Sequence, residues 1–225
     1  MDYKVPFNKA FVIGEETENI IDAIKTGHIS GDGIYTKRCH SFFNERYKFK
    51  LPLLTTSCTD ALEMCAILID PKLGDEVIVP SYSFVTSALP FISRGATLVF
   101  ADSSKTHPNI GINQIEKLIT KKTKAIVLVH YAGIACDMDP IVELCKQKKI
   151  MIIEDAAQGI HAKYKNRPLG SIGNMGTLSF HETKNIISGE GGLWIGNDEN
   201  FFERASILRD KGTNRKAFYE GQVEK

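Results

Sequence analysis

Four short runs, DEVIVP (75–80), ATLVFAD (96–102), KAIVLVHY (124–131) and IMIIED (150–155), are almost unbroken Val, Ile and Leu. A strand with one wet face alternates apolar and polar residues, whereas an unbroken run belongs to a strand covered on both faces. The segments between them, SFVTSALPFISRG (83–95), NQIEKLITKK (113–122) and MDPIVELCKQKK (138–149), read as helices that supply the cover. DALEMCAILID (60–70) is apolar nearly all round, as a buried helix is. NMGTL (174–178) and GLWIG (192–196) add two more strands. The predicted fold class is α/β, three α/β/α layers around a mostly parallel central sheet.

At 225 residues and 43% hydrophobic, the chain is long enough for one large core, with no repeat, linker or low-complexity segment. Twenty-eight Lys and Arg against 27 Asp and Glu leave a net charge of +1, which gives no global pull toward nucleic acid or an acidic membrane face. The opening MDYKVPFNKAF lacks the basic-then-apolar layout of a signal peptide. AIVLVHYAGIA is interrupted by His130 and too short to cross a bilayer, so no membrane insertion is expected. Cys39, Cys58, Cys65, Cys136 and Cys145 form no C-x-x-C pair and are odd in number, which reads as reduced thiols in a cytoplasmic protein. The six histidines show no ligand spacing, so no metal site is expected.

Parallel sheets gather ligands at the carboxyl ends of their strands. The residues expected there are SCTD before the buried helix, SYSF, HYAG, EDAAQ and the stretch around Lys184. There is no phosphate-binding G-x-x-x-x-G-K-[ST], and GEGGLW lacks the third glycine of a dinucleotide fingerprint and leads into a strand. DMD (137–139) could be a metal-binding pair in a nucleotide-sugar transferase, but it reads better as Asp139 capping a helix that starts at Pro140. TTSCTDALE leads small hydroxyl residues into a helix, either a plain cap or an anion site built from free N–H groups and the helix dipole. Asp155 ends an apolar strand; it is either a turn residue or a carboxylate that needs a cation. Ala156 and Ala157 leave room beside it for a flat ligand, and Gln158 follows. Lys184 sits in SFHETKNIISGEGG (179–192), between two apolar strands and just before a glycine cluster.

A phosphate site, a strand-end carboxylate, the aromatic Phe84 and a lysine on one sheet edge suit pyridoxal 5'-phosphate. That cofactor combines a phosphate, a flat ring whose nitrogen works best protonated, and an aldehyde that a lysine captures. A carboxylate beside the ring nitrogen favours its charged form.

The motifs SGDGIYTKRC, SCTDALEM, GDEVIVPSYSFV, VHYAGIACDMD, EDAAQG, SFHETKN, GEGG and LRDKGTNR resemble the DegT/DnrJ/StrS sugar-nucleotide aminotransferases, a branch of fold-type I pyridoxal-phosphate enzymes, along nearly all the chain. The resemblance implies that Lys184 binds the cofactor covalently and shuttles protons. It also implies that Asp155 holds the ring nitrogen, Gln158 the ring hydroxyl, Phe84 the ring face, and Thr59, the Asp60 backbone and Ser179 the phosphate. HETKN and KGTNR are most similar to the group that transfers an amine from glutamate, released as 2-oxoglutarate, to C4 of TDP-4-oxo-6-deoxy-D-glucose, for cell-surface polysaccharide. Asp60 departs from the small residue usual in the family, so its carboxylate is expected to turn away from the phosphate. Residues 1–225 are expected to be the large cofactor domain of a homodimer, with an N-terminal arm at roughly 1–50 and without the family's C-terminal small domain. The rival expectation is an inactive remnant with a structural or partner-binding role.

Overall fold

A computed structural model describes residues 4–6, 8–219 and 221–223. Among them the strands are β1 Leu51–Thr55, β2 Glu76–Pro80, β3 Thr97–Ala101, β4 Thr123–Val129, β5 Met151–Asp155, β6 Lys163–Tyr164, β7 Arg167–Pro168, β8 Met175–Ser179 and β9 Gly192–Gly196. The helices are α1 Glu15–Lys25, α2 Ile34–Tyr47, α3 Cys58–Ile69, α4 Leu89–Ser93, α5 Ile112–Leu118, α6 Met138–Lys148, α7 Phe202–Arg209 and α8 Arg215–Tyr219. No described helix is long and apolar enough to cross a membrane.

Seven strands make one sheet in the order β1-β9-β8-β5-β4-β2-β3, while β6 and β7 form a separate hairpin. The pairs β8–β5, β5–β4, β4–β2 and β2–β3 are parallel. β9 pairs antiparallel with both β1 and β8, so it alone runs against the other six. The reason lies in the 180–191 connection. It stays on one sheet edge, and a chain that turns without crossing the sheet must come back antiparallel.

Residues of β2, β4 and β5 are almost all buried, as their unbroken apolar runs require. The fourth run does not follow: β3 is the edge strand, only Ala101 of it is buried, and Phe100 is exposed. α3 buries Ala61, Leu62, Met64, Cys65, Ala66, Leu68 and Ile69, so it is covered on most sides, with β8 and β9 beneath it. α5 and α6 cover a second core containing Ile115, Met138, Ile141 and Cys145. α2 contributes Phe43 and Tyr47 to a third. The three-layer α/β architecture is therefore as expected.

Three helix expectations change. The segment 83–95 is not one helix but a single 3-10 turn, Val85–Ser87, followed by the five-residue α4. Pro90 explains the break: without an N–H it fits only the first turn of a helix, so α4 has to begin at Leu89. α5 stops at Leu118 and does not run on to 122, because Ile119 is extended with ψ 127°. Beyond it the Thr120 and Thr123 hydroxyls take over local N–H groups, offering the backbone a different set of partners. α6 begins at Met138 with Asp137 as its cap residue, not Asp139. Pro140 then sits in the first turn, where its missing N–H costs nothing.

Candidate functional site

The carboxyl ends of β1, β2, β4, β5 and β8 share one sheet edge, and the candidate residues lie along it. Asp155, the last residue of β5, is only 5% exposed. Ser87 Oγ donates to its Oδ2 at 2.6 Å, and the Ala157 N–H donates to Oδ1 at 3.1 Å. Each carboxylate oxygen accepts about two hydrogen bonds, so both retain a lone pair for a further donor. Ser87 escapes notice in the sequence because SFVTSALP reads as helix. The 3-10 turn turns its hydroxyl inward while its N–H donates to Phe84 O at 3.0 Å. Phe84, extended at φ −73° and ψ 144°, holds its ring 72% exposed, one turn from the Asp155 contact.

The start of α3 forms the second part. Ser57 caps the helix, its Oγ accepting the Asp60 N–H at 3.0 Å. The Asp60 N–H expected to face an anion is thus already engaged. Its carboxylate accepts the Thr56 hydroxyl. The N–H groups of Cys58 and Thr59 remain at the positive end of the helix dipole. Gly192 pairs with Thr55 on one side and Ser179 on the other, so the three residues lie side by side across β1, β9 and β8. A Cβ on Gly192 would stand 2.3 Å from the carbonyl carbon of Ser57. The helix start therefore rests directly on that glycine, next to the buried Ser179.

The third part is the connection bearing Lys184. Phe180 and Gly191 bond across its base at 2.8 Å, and Lys184 N–H donates to His181 O at 2.9 Å. Among the described residues Lys184 Nζ has no hydrogen bond or ion pair. The side chain lines a cleft of about 260 Å³ with Ala132, Ala157, Gln158, Ile160 and Thr183. Gln158 Oε1 accepts the Ala132 N–H at 2.6 Å, which orients the amide and leaves its NH₂ without a partner among the described residues. Cys58 links the parts electrostatically. Burial pushes its thiol up, the Asp155 carboxylate pushes it further, and the Lys184 ammonium opposes this.

Other features separate from this edge. A groove of about 1530 Å³ lies near the start of β5, lined by Arg46, Lys48, Lys50, Lys146, Lys149 and Arg167, and none of the candidate residues borders it. The DMD carboxylates are engaged elsewhere: Asp139 pairs with Lys165 and Arg167, and Asp137 accepts the Tyr164 hydroxyl at 2.6 Å. That occupation supports a structural role for both.

A buried pair beneath the edge is not evident from the sequence. Glu154 and His130 have fully buried side chains, with His130 Nε2 2.9 Å from Glu154 Oε2. The Cys136 N–H points at His130 Nδ1 at 3.1 Å, which leaves the ring proton on Nε2, donated to Glu154. Burial opposes a charged ring, while the contacts with Cys136 and Glu154 raise its proton affinity above the usual imidazole value. A second ring proton would have to displace the Cys136 N–H.

The donors and acceptors on this edge fit pyridoxal phosphate. A buried carboxylate with spare lone pairs suits a protonated ring nitrogen, and an unpartnered amine suits an aldehyde. The Gln158 amide lines the cleft and suits a ring oxygen, and the helix N–H groups of Cys58 and Thr59, unpartnered among the described residues, suit a phosphate.

Residues 12–224 match the DegT/DnrJ/EryC1/StrS aminotransferase family. The chain is 33% identical to the GDP-perosamine synthase of Escherichia coli O157:H7, over 92% of itself and 57% of that protein. An aminotransferase from Psychrobacter cryohalolentis superposes with a TM-score of 0.89 at 32% identity, covering 98% of this chain and 56% of that one. A Streptococcus pneumoniae protein assigned as a sugar aminotransferase, in its PLP form, gives 0.84 at 28% identity, over 92% of this chain and 58% of that one. The chain spans about half the length of the relatives it matches. It belongs to the DegT/DnrJ/EryC1/StrS aminotransferase family.

Proposed function

We propose, on the premise of that membership, that the chain is the cofactor-binding large domain of a pyridoxal-phosphate-dependent sugar-nucleotide aminotransferase. It moves an amino group from glutamate to the C4 ketone of a nucleotide sugar, with TDP-4-oxo-6-deoxy-D-glucose as the acceptor. One observation carries the reading: the unpartnered amine Lys184 lines a cleft with Ala157 and Gln158, which directly follow the buried Asp155 carboxylate that Ser87 and the Ala157 N–H hold.

Bound pyridoxal phosphate supplies an aldehyde that captures amines and a protonated ring that accepts electrons. Lys184 is the amine that attacks and later carries protons, for which a flexible stem on a hairpin connection gives the needed reach. Asp155 holds the proton on the ring nitrogen, with Ser87 and Ala157 fixing the carboxylate. The Gln158 NH₂ donates to the ring oxygen, the Ala132 N–H fixing the amide by holding its oxygen. Phe84 offers its exposed face to the ring. Thr59, the Asp60 backbone and Ser179 form the phosphate end. With the Asp60 N–H held by Ser57, the Cys58 and Thr59 N–H groups are the free helix donors there.

Relatives include GDP-perosamine synthases, so the assay offers GDP-linked as well as TDP-linked 4-oxo sugars with glutamate. The expected result is near-visible absorbance on adding pyridoxal phosphate and 2-oxoglutarate release dependent on the 4-oxo sugar. Cofactor uptake without transfer to either sugar would favour the inactive remnant. Failure to take up the cofactor would overturn the proposal.

A further inference from the structure

We propose that Glu154 and His130 form a buried clamp that holds the Gln158 amide in one orientation, so that the cleft presents a hydrogen-bond donor to the ring oxygen. Both are positioning residues, and the inference rests on the cofactor reading given above.

Glu154 neighbours Asp155 on β5, so the two side chains leave opposite faces of the strand. Its carboxylate is fully buried and meets four donors. Oε2 accepts from His130 Nε2 at 2.9 Å and Gly170 N at 2.9 Å, and Oε1 from Ile172 N at 2.5 Å and Gly173 N at 2.6 Å. Among the described residues no lysine or arginine pairs with it. Four N–H groups replace its hydration. One carboxylate thereby ties the 170–173 segment to the end of β4, and Gly170 in turn backs onto β8. A Cβ on Gly176 would stand only 2.1 Å from the carbonyl oxygen of Gly170.

From His130 the restraint passes into the next turn. Its backbone N–H donates to Asp155 O at 3.0 Å, and its ring accepts the Cys136 N–H, closing residues 131–135 into a loop. Buried Asn109 braces that loop from the other side, accepting the Tyr131 N–H at 3.1 Å and donating to Ile134 O at 2.7 Å. Inside the loop Ala132 is held at φ 54°, a left-handed conformation unfavourable for a residue with a Cβ. Such strain persists only where the surroundings over-determine it. The strain has one visible product, the Ala132 N–H aimed at Gln158 Oε1 at 2.6 Å. The loop also sits directly on the Gln158 backbone, since a Cβ on Gly133 would stand 2.9 Å from Gln158 O. If the clamp is released, Ala132 can relax, and the exposed Gln158 amide is free to flip and offer its oxygen instead.

The test combines amide exchange on the apo chain with cofactor titration of Glu154→Gln, Gln158→Ala and the double variant. Glu154→Gln places an NH₂ among four donors, so at least one contact is lost. Exchange at Ala132–Cys136 is expected to rise roughly tenfold, the scale of one lost buried hydrogen bond. The pyridoxal phosphate Kd is expected to rise about tenfold in each single variant and no further in the double, because both act through one amide. Additive effects on Kd, or unchanged exchange in a folded variant, would overturn the clamp. If Glu154→Gln does not fold, His130→Asn and His130→Ala decide. Asn retains an acceptor for the Cys136 N–H and should keep the loop closed, whereas Ala should open it; equal exchange in the two overturns the proposal. If the wild-type chain does not take up the cofactor, the functional reading falls, while the exchange arm still decides the clamp.

Discussion

Replacing Asp155 with Asn removes a charge and leaves a shape. Asp155 is 5% exposed and its two contacts come from Ser87 and Ala157. Asn can keep both: its oxygen accepts the Ala157 N–H, and its NH₂ faces Ser87, whose hydroxyl rotates to accept. Loss of fold stability should therefore stay within about 1.5 kcal/mol, the net worth of one hydrogen bond. The electrostatic loss is larger. A carboxylate touching a protonated ring nitrogen raises that nitrogen's pKa by roughly 1–3 units, or about 1.4–4 kcal/mol. The glutamate half-reaction should slow by at least about a hundredfold, as when one aligned electrostatic group is removed. Rapid mixing of cofactor-loaded chain with glutamate, followed by absorbance, measures that rate, and thermal unfolding measures the first term. An Asn variant of normal stability and unchanged half-reaction rate would refute the role given to Asp155.

Further outcomes follow from neighbouring residues. Gly192→Ala would force a Cβ to 2.3 Å from the Ser57 backbone, so α3 must lift off β9; urea unfolding should show a loss of about 3 kcal/mol or more, or no folded protein. The Cys58 thiol is pushed up by burial and then by Asp155, so it stays protonated at pH 8. Its alkylation by iodoacetamide, followed by mass spectrometry, should be at least about a hundredfold slower than in the urea-unfolded chain. Phe84, Val85, Leu89 and Ile92 expose apolar surface along 84–92, so the chain should self-associate in sedimentation. Phe84→Ser with Val85→Ser should shift it toward monomer, and unchanged mass would exclude this patch as the contact.

The fold was legible because its signal is local. Unbroken apolar runs mark β2, β4 and β5 as covered strands, but the same signal in ATLVFAD does not show that β3 lies at the sheet edge with Phe100 exposed. The placement of Asp155 at the end of β5 was legible as well, since its own neighbours define that strand, and so was that of Lys184 on the connection between β8 and β9. Contacts between distant segments were less so. Ser87 lies in a stretch whose periodicity reads as helix, and Pro90 breaks it into a turn that aims the hydroxyl at Asp155, 68 residues away. Glu154 can be placed on the opposite face from Asp155 by strand alternation, but its donors come from residues 130 and 170–173, which sequence cannot bring together. The glycines after Lys184 suggest freedom of movement. Gly192 instead provides a bare surface for the start of α3. Asp60 shows the same limit: its place in the first turn is legible, but the capture of its N–H by Ser57 depends on a side-chain rotamer.

The central claim is that Lys184 is the amine that takes the cofactor. The direct measurement is borohydride reduction of the chain loaded with pyridoxal phosphate, then proteolysis and mass mapping. The chain holds 21 lysines, so a surface that labels nonspecifically would spread the adduct widely. The account predicts one stoichiometric adduct on the peptide containing Lys184, with none in Lys184→Ala and no loss of the near-visible absorbance on reduction of that variant. A stoichiometric adduct on Lys122 or Lys211, or equal labelling of Lys184→Ala, would contradict it.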